Sequence, residues 1–376
     1  MRVNTLATAQ FRNLNHPRLS FAPGVNVITG ENGQGKTNLL EAVFFFKFGR
    51  SFRTRQDAEM IRFGEAYCRA EVSCEFDDGH REDLAAVVER DGPKRIQISG
   101  KPIEKLSDLV GRYPMVLFGP HDLSLVAGQP AERRRFVDMV GSMTDAWYIG
   151  LLKDYRRILN QRNAALKSRA SRREREVWDR ELVEKGCALI LKRIAVTSVL
   201  ERYLAEHVSG LEAPFEFALS YDSAIVREST GAGNGWGMGG VDLQSVFETR
   251  LLSLEAEELR RGTTLAGPHR DDLSITMGRS NVRRYGSQGQ RRLLAVLLKL
   301  SELSHLEKEL NERCVLLLDD VFSEFDREIT AKLQALLAGD RQVFVTSPVP
   351  LEWADFHDVK TFQVKNGGVA PVSRVE

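Results

Sequence analysis

The chain has 376 residues, of which 42% are hydrophobic and 28% charged, a composition typical of a soluble globular protein with room for two or three domains. Its formal net charge of +1 does not identify a polyanionic partner, although the distribution of charge along the chain does carry information. The longest apolar runs, such as residues 43–46, are far too short to cross a bilayer.

The N-terminus has no signal-peptide core, and the four cysteines have no spacing typical of a zinc site or a disulfide framework. We therefore expect a cytoplasmic protein that makes no contact with a membrane. Cys68 and Cys74 lie an even number of positions apart on a predicted strand, so we expect them to share one face as buried free thiols.

A glycine-rich loop stands near the N-terminus. Residues 3–11 predict an edge strand, residues 25–28 a short buried strand and residues 37–46 a helix. Residues 30–37 read Gly-Glu-Asn-Gly-Gln-Gly-Lys-Thr, which fits the P-loop pattern of Gly, four residues and Gly-Lys-Thr. A chance glycine-rich turn is the alternative, and the flanking strand and helix argue against it.

A loop between a strand and a helix leaves backbone N–H groups pointing at one spot, where the helix dipole adds positive potential. We expect Lys36 to reach the β- and γ-phosphates of ATP and to take part in catalysis, and the Thr37 hydroxyl to hold Mg²⁺. The predicted nucleotide-binding residues of this loop are Gly30, Glu31, Asn32, Gly33, Gln34, Gly35, Lys36 and Thr37.

A basic turn follows the P-loop helix and leads to a region with a period of two. Arg50, Arg53 and Arg55 are close enough in sequence to reach a nucleotide or DNA, and a solvated loop explains them equally well. Residues 67–99 alternate between apolar and polar with two turn signals, which predicts an antiparallel meander. Residues 114–118 predict a compact buried strand.

The middle of the chain is predicted to be helical and locally basic. Residues 131–204 have a helical period throughout, and residues 151–180 hold ten Lys or Arg against four Asp or Glu, a local excess of six. The densest points are residues 133–135 and 172–173. Most such charge runs are solvated helical faces, but the one-signed excess favours contact with DNA. Beyond it, we predict a strand, a mobile glycine-rich loop at residues 231–240 and another helix.

A second set of candidate residues lies close to the C-terminus. Residues 315–320 read Val-Leu-Leu-Leu-Asp-Asp, which predicts a buried parallel strand with carboxylates at its C-terminal end. In a P-loop fold that end faces the nucleotide. We expect Asp319 to hold Mg²⁺ and Asp320 to orient or polarise the attacking water.

A second helix N-terminus also has the character of an anion site. It follows a Ser-Gln-Gly-Gln stretch and precedes a strong helix over residues 293–300. Because one nucleotide needs only one such end, we infer that the second caps the γ-phosphate of ATP on a neighbouring subunit. The predicted residues are Ser287, Gln288, Gly289 and Gln290.

These motifs carry a resemblance to a known family. Residues 33–42, 287–290 and 316–320 resemble the ATPase head of the ABC superfamily. Asp319 and Asp320 stand roughly 280 residues after the P-loop, with helices between, and this layout resembles the SMC-like branch of that superfamily. Residues 11–14, 120–138 and 267–272 (Gly-Pro-His-Arg-Asp-Asp) resemble the bacterial RecF family in particular, and the likeness covers nearly the whole chain.

The resemblance implies an α/β fold: an ABC-type P-loop ATPase head with an antiparallel β subdomain and an inserted, mainly helical arm. The implied domains are residues 1–130 for the N-terminal half of the head, residues 131–262 for the arm and residues 263–376 for the C-terminal half of the head.

The resemblance also implies a function. RecF-like proteins bind ATP and DNA, dimerise in an ATP-dependent way and hydrolyse ATP slowly, and they act with RecO and RecR in recombinational repair, replication restart and the SOS response. Carried over by position, Lys36 and Thr37 are P-loop ligands, Asp319 is the Mg²⁺ residue and Ser287 acts in trans. Residues 323–326 carry over as the loop that crosses the dimer interface. The DNA is expected to be single-stranded, gapped or a junction.

Some positions depart from the ABC pattern. Transporter-type heads have Glu where Asp320 stands, and the shorter side chain suits slow turnover. Thr346 stands near the place of the transporter switch histidine, no glutamine follows the strand at residues 114–118, and His121 replaces an acid of the RecF pattern. An ABC transporter subunit is the alternative function, and the basic arm argues against it. A small-molecule P-loop kinase would need no Ser-Gln-Gly-Gln stretch, and a helicase would have its second ATP motif earlier.

Overall fold

The computed structural model describes residues 1–211, 216–230, 242–337, 339–349 and 358–372. The chain divides into two compact units. The first unit comprises Met1–Asp122, Ser209–Glu212 and Val296–Glu376, and the second comprises Leu123–Val208 and Ala213–Ala295. The domain boundaries predicted after residues 130 and 262 were placed by sequence motifs and do not coincide with the bounds of these units. They remain predictions. The mobile loop predicted at residues 231–240 lies outside the described residues.

Strands and helices follow one another along the described part of the chain. The strands are β1 (Arg2–Phe11), β2 (Leu14–Ser20), β3 (Val25–Thr29), β4 (Tyr67–Glu75), β5 (Arg81–Glu89), β6 (Arg95–Ile98), β7 (Lys101–Pro102), β8 (Met115–Phe118), β9 (Phe217–Asp222), β10 (Asp272–Met277), β11 (Ser280–Asn281), β12 (Val315–Asp319), β13 (Val343–Ser347), β14 (Lys360–Lys365) and β15 (Gly368–Pro371). The helices are α1 (Lys36–Phe48), α2 (Leu123–Ala127), α3 (Pro130–Thr144), α4 (Ala146–Lys167), α5 (Arg172–Gly210), α6 (Ala224–Thr230), α7 (Leu243–Arg261), α8 (Val282–Tyr285), α9 (Gln288–Leu310) and α10 (Arg327–Leu337).

An antiparallel sheet of the first unit has the strand order β2-β1-β4-β5-β6-β7. It confirms the predicted meander, and its burial alternates, so that Cys68 and Cys74 share the buried face as free thiols. The prediction that β1 is an edge strand is wrong. β1 pairs with both β2 and β4, because residues 14–20 fold back and satisfy the backbone groups on its other side.

A second sheet of the first unit positions the candidate site. Its order is β15-β14-β3-β13-β12-β8, and all neighbours are parallel except the β14–β15 hairpin. β12 and β13 are buried at every position, as expected for parallel strands covered on both faces. Helix α1 shares a core with residues of both sheets through side chains that include Leu39, Val43 and Phe46.

The second unit contains a three-stranded sheet of order β11-β10-β9 and most of the helices. Residues 131–204 are helical, as predicted, apart from two short breaks that divide them into α3, α4 and most of α5. The chain breaks at Asp145, whose side chain accepts a hydrogen bond from the Trp147 N–H and so caps α4. It breaks again at residues 168–171.

Candidate active site

The glycine-rich loop joins β3 to α1, as predicted, and its backbone has a positive φ angle at three glycines, at two of which a Cβ would also meet a close neighbour. Gly30 and Gly35 have φ angles of 151° and 116°, a region that L side chains rarely adopt. A Cβ on Gly30 would lie 2.4 Å from the carbonyl oxygen of Val364, and one on Gly35 would lie 2.6 Å from the side chain of Asn13. Gly33, at φ 81°, stands instead in open space at the exposed crest of the loop, beside Glu31 and Asn32.

The side chain of Lys36 turns back into the loop that precedes it. Its Nζ donates to the carbonyl oxygens of Gly30, at 2.5 Å, and Glu31, at 3.0 Å. Burial lowers the pKa of Lys36, while the charges of Asp320 and Asp319 act in the opposite direction. The ammonium group is therefore held at the carboxyl edge of the parallel sheet, within electrostatic reach of both acids.

Two hydroxyl side chains from neighbouring elements meet at the carboxylate of Asp319. The hydroxyl of Thr37, at the start of α1, donates to Asp319 Oδ1 at 2.9 Å. The hydroxyl of Thr346 lies 2.8 Å from the same oxygen, because Thr346 is the direct neighbour of Asp319 in the β12–β13 register. Burial is the main reason that the pKa of Asp319 is raised; the two hydroxyl groups lower it and the adjacent Asp320 raises it further.

Asp320 follows the end of β12 in a left-handed conformation, with a φ of 52°. Its backbone N–H donates to the Thr346 hydroxyl at 3.0 Å. Thr346 therefore fixes both members of the acidic pair. From the sequence, this threonine was noted only because it stands where transporters have a histidine. Its contacts with the two acids could not be predicted, because they depend on the exact pairing register of β12 and β13.

A polar layer behind the loop was also missed by sequence reasoning. Asn13 donates from Nδ2 to the carbonyl of Gln34 at 2.9 Å and accepts from Asn38 Nδ2 at 2.8 Å. Asn366 and Gly367, in the β14–β15 turn, donate their backbone N–H groups to Gln34 at 2.6 and 3.0 Å. The loop is thus held from both ends of the chain, which local patterns do not predict.

An ion pair between Arg12 and Glu41 connects helix α1 to the residue that follows β1. Glu41 is fully buried and accepts two hydrogen bonds from Arg12, at 3.0 and 2.8 Å. Arg53, from the basic turn, lies 3.5 Å from Glu41 and 2.6 Å from the side-chain oxygen of Asn38. The three arginines considered for that turn are all exposed, and the charge of Arg53 also acts on Asp319.

The Ser-Gln-Gly-Gln stretch lies in the second unit, where α9 begins at Gln288. Ser287 and Gln290 form a reciprocal capping box: the Gln290 N–H donates to Ser287 Oγ at 3.2 Å, and the Ser287 N–H donates to Gln290 Oε1 at 2.8 Å. Nothing lies within 4 Å of a Cβ placed on Gly289, so no neighbouring group in the described residues explains a glycine there. These residues form an exposed helix N-terminus.

The basic stretches of the second unit divide into internal and exposed residues. Arg133 is buried and donates from two nitrogens to Asp272, at 2.7 and 2.8 Å, and Arg134 donates to the Asp271 carbonyl at 2.5 Å. Two of the three consecutive arginines at residues 133–135 therefore serve the interior. Arg172 and Arg173 are exposed.

The described residues contain no group of three or more His, Cys, Asp or Glu side chains arranged to hold a metal ion. Nor, within those same ranges, is any helix long and apolar enough to span a membrane.

Comparison with known sequences identifies similar proteins along nearly the whole chain. A family model described as RecF/RecN/SMC N terminal domain matches residues 2–363. The DNA replication and repair protein RecF of Halothermothrix orenii is 37% identical over 381 aligned positions, which cover 98% of each chain. That of Bacillus subtilis is 34% identical and covers 98% of this chain and 100% of the relative.

Solved structures give the same result. The structures of the recombination mediator protein RecF-ATPrS and RecF-ATP in the RecFOR pathway superpose with a TM-score of 0.86 at 29% identity, over 99% of this chain. They are covered to 98% and 97% of their own length. An Smc head bound to the C-winged helix domain of ScpA superposes with a TM-score of 0.59 at 13% identity, which shows likeness of fold alone.

Proposed function

The chain belongs to the RecF family of SMC-like ATPases, and from this premise we propose that it is an ATP-dependent DNA-binding protein of DNA replication and repair. The relatives that match nearly its whole length are DNA replication and repair proteins, and structures of such a protein with ATP share its fold. The single observation that carries the proposal is the junction of Thr37, Asp319 and Thr346 beneath a complete P-loop.

ATP binding follows from the shape and charge of the loop. Backbone N–H groups of the P-loop and the first turn of α1 face the position of the β- and γ-phosphates, and glycines allow close approach. Lys36 is already directed along the loop by the carbonyls of Gly30 and Glu31, so little side-chain entropy remains to be lost when it binds a phosphate oxygen.

The residues present fit a Mg²⁺ ion accompanying ATP. Mg²⁺ is a hard cation that is usually held by one or two carboxylates, a hydroxyl, substrate phosphates and water rather than by a cage of protein ligands. Thr37 and Asp319 supply one hydroxyl and one carboxylate at contact distance from each other, which matches this donor set. Bound Mg²⁺ would neutralise phosphate charge, and Asp319 would hold it with Thr346 orienting the carboxylate.

We assign Asp320 the role of orienting the water that attacks the γ-phosphate. Its left-handed backbone, held by Thr346, places it one residue beyond the metal-binding carboxylate. Asp is one methylene shorter than the Glu of transporter-type heads, so it holds a water less closely. This favours a weak, DNA-stimulated ATPase in which hydrolysis resets a switch.

ATP would also be a dimerisation ligand. Ser287 and the open position at Gly289 form an exposed helix end whose dipole and N–H groups can cap the γ-phosphate bound by a second copy of the chain. The Ser323 hydroxyl donates to the Asp320 carbonyl at 3.1 Å, so residues 323–326, the expected interface loop, are connected to the water-orienting residue.

The DNA ligand is proposed to be single-stranded, gapped or a junction, and RecO and RecR are the proposed partners in loading recombinase. Binding through phosphates would show little dependence on base sequence and would fall steeply with salt. A transporter subunit is not favoured, because the full-length relatives are DNA replication and repair proteins.

Sedimentation velocity with and without ATP, Mg²⁺ and DNA tests the proposal. We expect the wild type to dimerise only with ATP, Lys36→Arg to retain ATP-induced dimerisation while losing hydrolysis, and Ser287→Arg to remain monomeric with ATP. Ser287→Asn is the matched control for the helix cap, because Asn caps helices as well as Ser does. Equal dimerisation without nucleotide would overturn the ATP-gated model, and normal dimerisation of Ser287→Arg would overturn the role of Ser287 in trans.

A further inference from the structure

We infer that one face of helix α4 is the surface on which this protein holds the phosphate backbone of DNA. The face consists of Lys153, Arg156, Arg157, Asn160 and Lys167, hereafter the basic face, and all five side chains are exposed. The inference rests on the proposed function. It goes further by assigning the contact to named residues of one helix rather than to the basic excess of the whole arm.

The spacing of these residues places them in one stripe. They stand at intervals of three, four and seven residues, which return to the same side of an α-helix. Ala164 stands in the same stripe, where its small side chain leaves the helix surface open. The lone acid in α4 is Asp154, which stands three residues before Arg157 and so borders the stripe on one edge, and its charge also acts on Lys185 of α5.

Two other arginines of this region, Arg162 and Arg175, are buried and so differ from the residues of the basic face. Arg162 is buried, with Nε 2.6 Å from Asp179 and Nη2 2.7 Å from Glu258. Arg175, in α5, is also buried and pairs with Glu255 at 2.7 Å. Arg162 neutralises the buried Glu258 and cannot meet an external polyanion without leaving that carboxylate unpaired, and the side chain of Arg175 is itself buried.

The cations of the basic face have no such partner. Within the described ranges, no ion pair joins Lys153, Arg156, Arg157 or Lys167 to an acid. Together with other residues of α4, three of them line an open surface hollow of about 550 Å³. A stripe of four exposed cations and one amide, with a single acid at its edge, is complementary to an anionic backbone.

The length of the basic face fits a nucleic-acid strand. From Lys153 to Lys167 the helix rises by about 21 Å at 1.5 Å per residue. A strand of duplex DNA presents a phosphate about every 3.4 Å along the axis, so the stripe spans roughly six phosphates. A straight, one-signed surface of this length suits a regular polyanion better than the mixed charges of a typical acidic protein surface.

The test measures how DNA affinity depends on salt, with ATP and Mg²⁺ present, on a duplex and on a single strand of the same sequence. The variant is Lys153→Gln/Arg156→Gln/Arg157→Gln. The matched control is Arg172→Gln/Arg173→Gln/Arg180→Gln, which removes the same charge from exposed positions of α5. Gln has nearly the helix propensity of Lys and Arg, so both variants should fold.

We expect the basic-face variant to lose about 2.7 from the slope of log affinity against log salt on duplex DNA, or about 2.1 on a single strand. Raising the salt from 50 to 200 mM should therefore weaken duplex binding by the wild type roughly 40-fold more than it weakens duplex binding by the variant. The control should keep a slope within about 0.9 of wild type, equivalent to one phosphate contact.

Three outcomes would overturn the inference. If the two variants lose slope equally, net charge explains the binding and the basic face has no special role. If the basic-face variant keeps the wild-type slope, DNA binds elsewhere and the face serves another partner, such as an acidic protein. If the wild type binds no DNA with ATP, the proposed function itself fails. This failure is distinct from failure of the basic-face inference, because it is seen with the wild type alone.

Discussion

The hydroxyl of Thr37 lies 2.9 Å from the carboxylate of Asp319, although 282 positions separate the two residues in the chain. They meet because β3 and β12 both pair in parallel with β13, which brings their carboxyl ends to one edge of the sheet. The two halves of the ATP site are thus joined by strand order, and the contact can be tested directly.

Thr37→Val should abolish the Mg²⁺-dependent part of stabilisation by ATP. Valine has nearly the same shape but no oxygen for the metal, and it removes one of the two hydroxyl groups that donate to Asp319 Oδ1. Wild type should gain about 2.7 kcal/mol at an ATP concentration one hundred times Kd. Thermal unfolding with ATP and either Mg²⁺ or a chelator measures the difference, and Thr37→Ser is the control that should retain it. Full Mg²⁺-dependent stabilisation of Thr37→Val would contradict the assignment.

Gly289→Ala should change stability and dimerisation in opposite directions. Alanine favours the helical conformation over glycine by up to about 1 kcal/mol, and a Cβ there meets no neighbour in the described residues, so the isolated chain should be slightly more stable. The same methyl group would stand where a second copy's γ-phosphate is proposed to bind, so ATP-induced dimerisation should weaken. Thermal unfolding and sedimentation measure the two effects. Unchanged dimerisation would count against the role in trans.

Glu302→Gln should be strongly destabilising, because it removes the acid from a buried charge cluster. Glu302 lies 3.2 Å from Lys47, at the end of α1, and is also paired with Lys299; all three are buried. The lysines hold the pKa of Glu302 below its ordinary value in spite of burial. Loss of the acid removes the carboxylate paired with Lys47 and leaves Lys299 with only the more distant charge of Asp122 beside its other contacts, at a cost of about 3–5 kcal/mol in the free energy of unfolding.

Urea unfolding of Glu302→Gln measures that cost. Glu206→Gln is the control, since Glu206 forms an exposed pair with Arg202 at 4.0 Å and should change stability by less than about 0.5 kcal/mol. Adding Lys47→Met to Glu302→Gln should recover part of the loss. A cost for Glu302→Gln no larger than that of the control would show that the cluster is solvated.

Asp271→Asn should reduce the pH dependence of stability between about pH 4 and pH 6. Burial raises the pKa of Asp271 to about 6, against hydrogen bonds from Tyr221 and Ser223 and the charges of Arg193 and Arg134. A carboxyl with a raised folded pKa stabilises the protein fully below its unfolded pKa, and that contribution is lost as pH rises through the folded value. Wild type should therefore lose stability relative to Asp271→Asn over this range, as measured by thermal unfolding at fixed ionic strength. A constant difference between the two proteins would refute the shift.

Local patterns sufficed for much of this protein. The P-loop, the buried strand that ends in Asp319 and the antiparallel meander were each predicted from short stretches, because spacing, glycine and period two determine local backbone geometry directly. The same patterns predicted helical structure over residues 131–204 but not its division into α3, α4 and α5, since a helical period continues smoothly across a capped break such as Asp145. They also could not show that β2 covers the outer side of β1.

The sequence by itself therefore determined the P-loop pattern, the buried strand that ends in two acids and the family to which the chain belongs. Tertiary structure alone decided that Thr346 joins Asp319 to Asp320, because strand register depends on long-range pairing. It also decided which cations face solvent. In one basic segment Arg162 neutralises buried acids while Arg156 and Arg157 stay exposed, and only packing around each side chain makes that distinction.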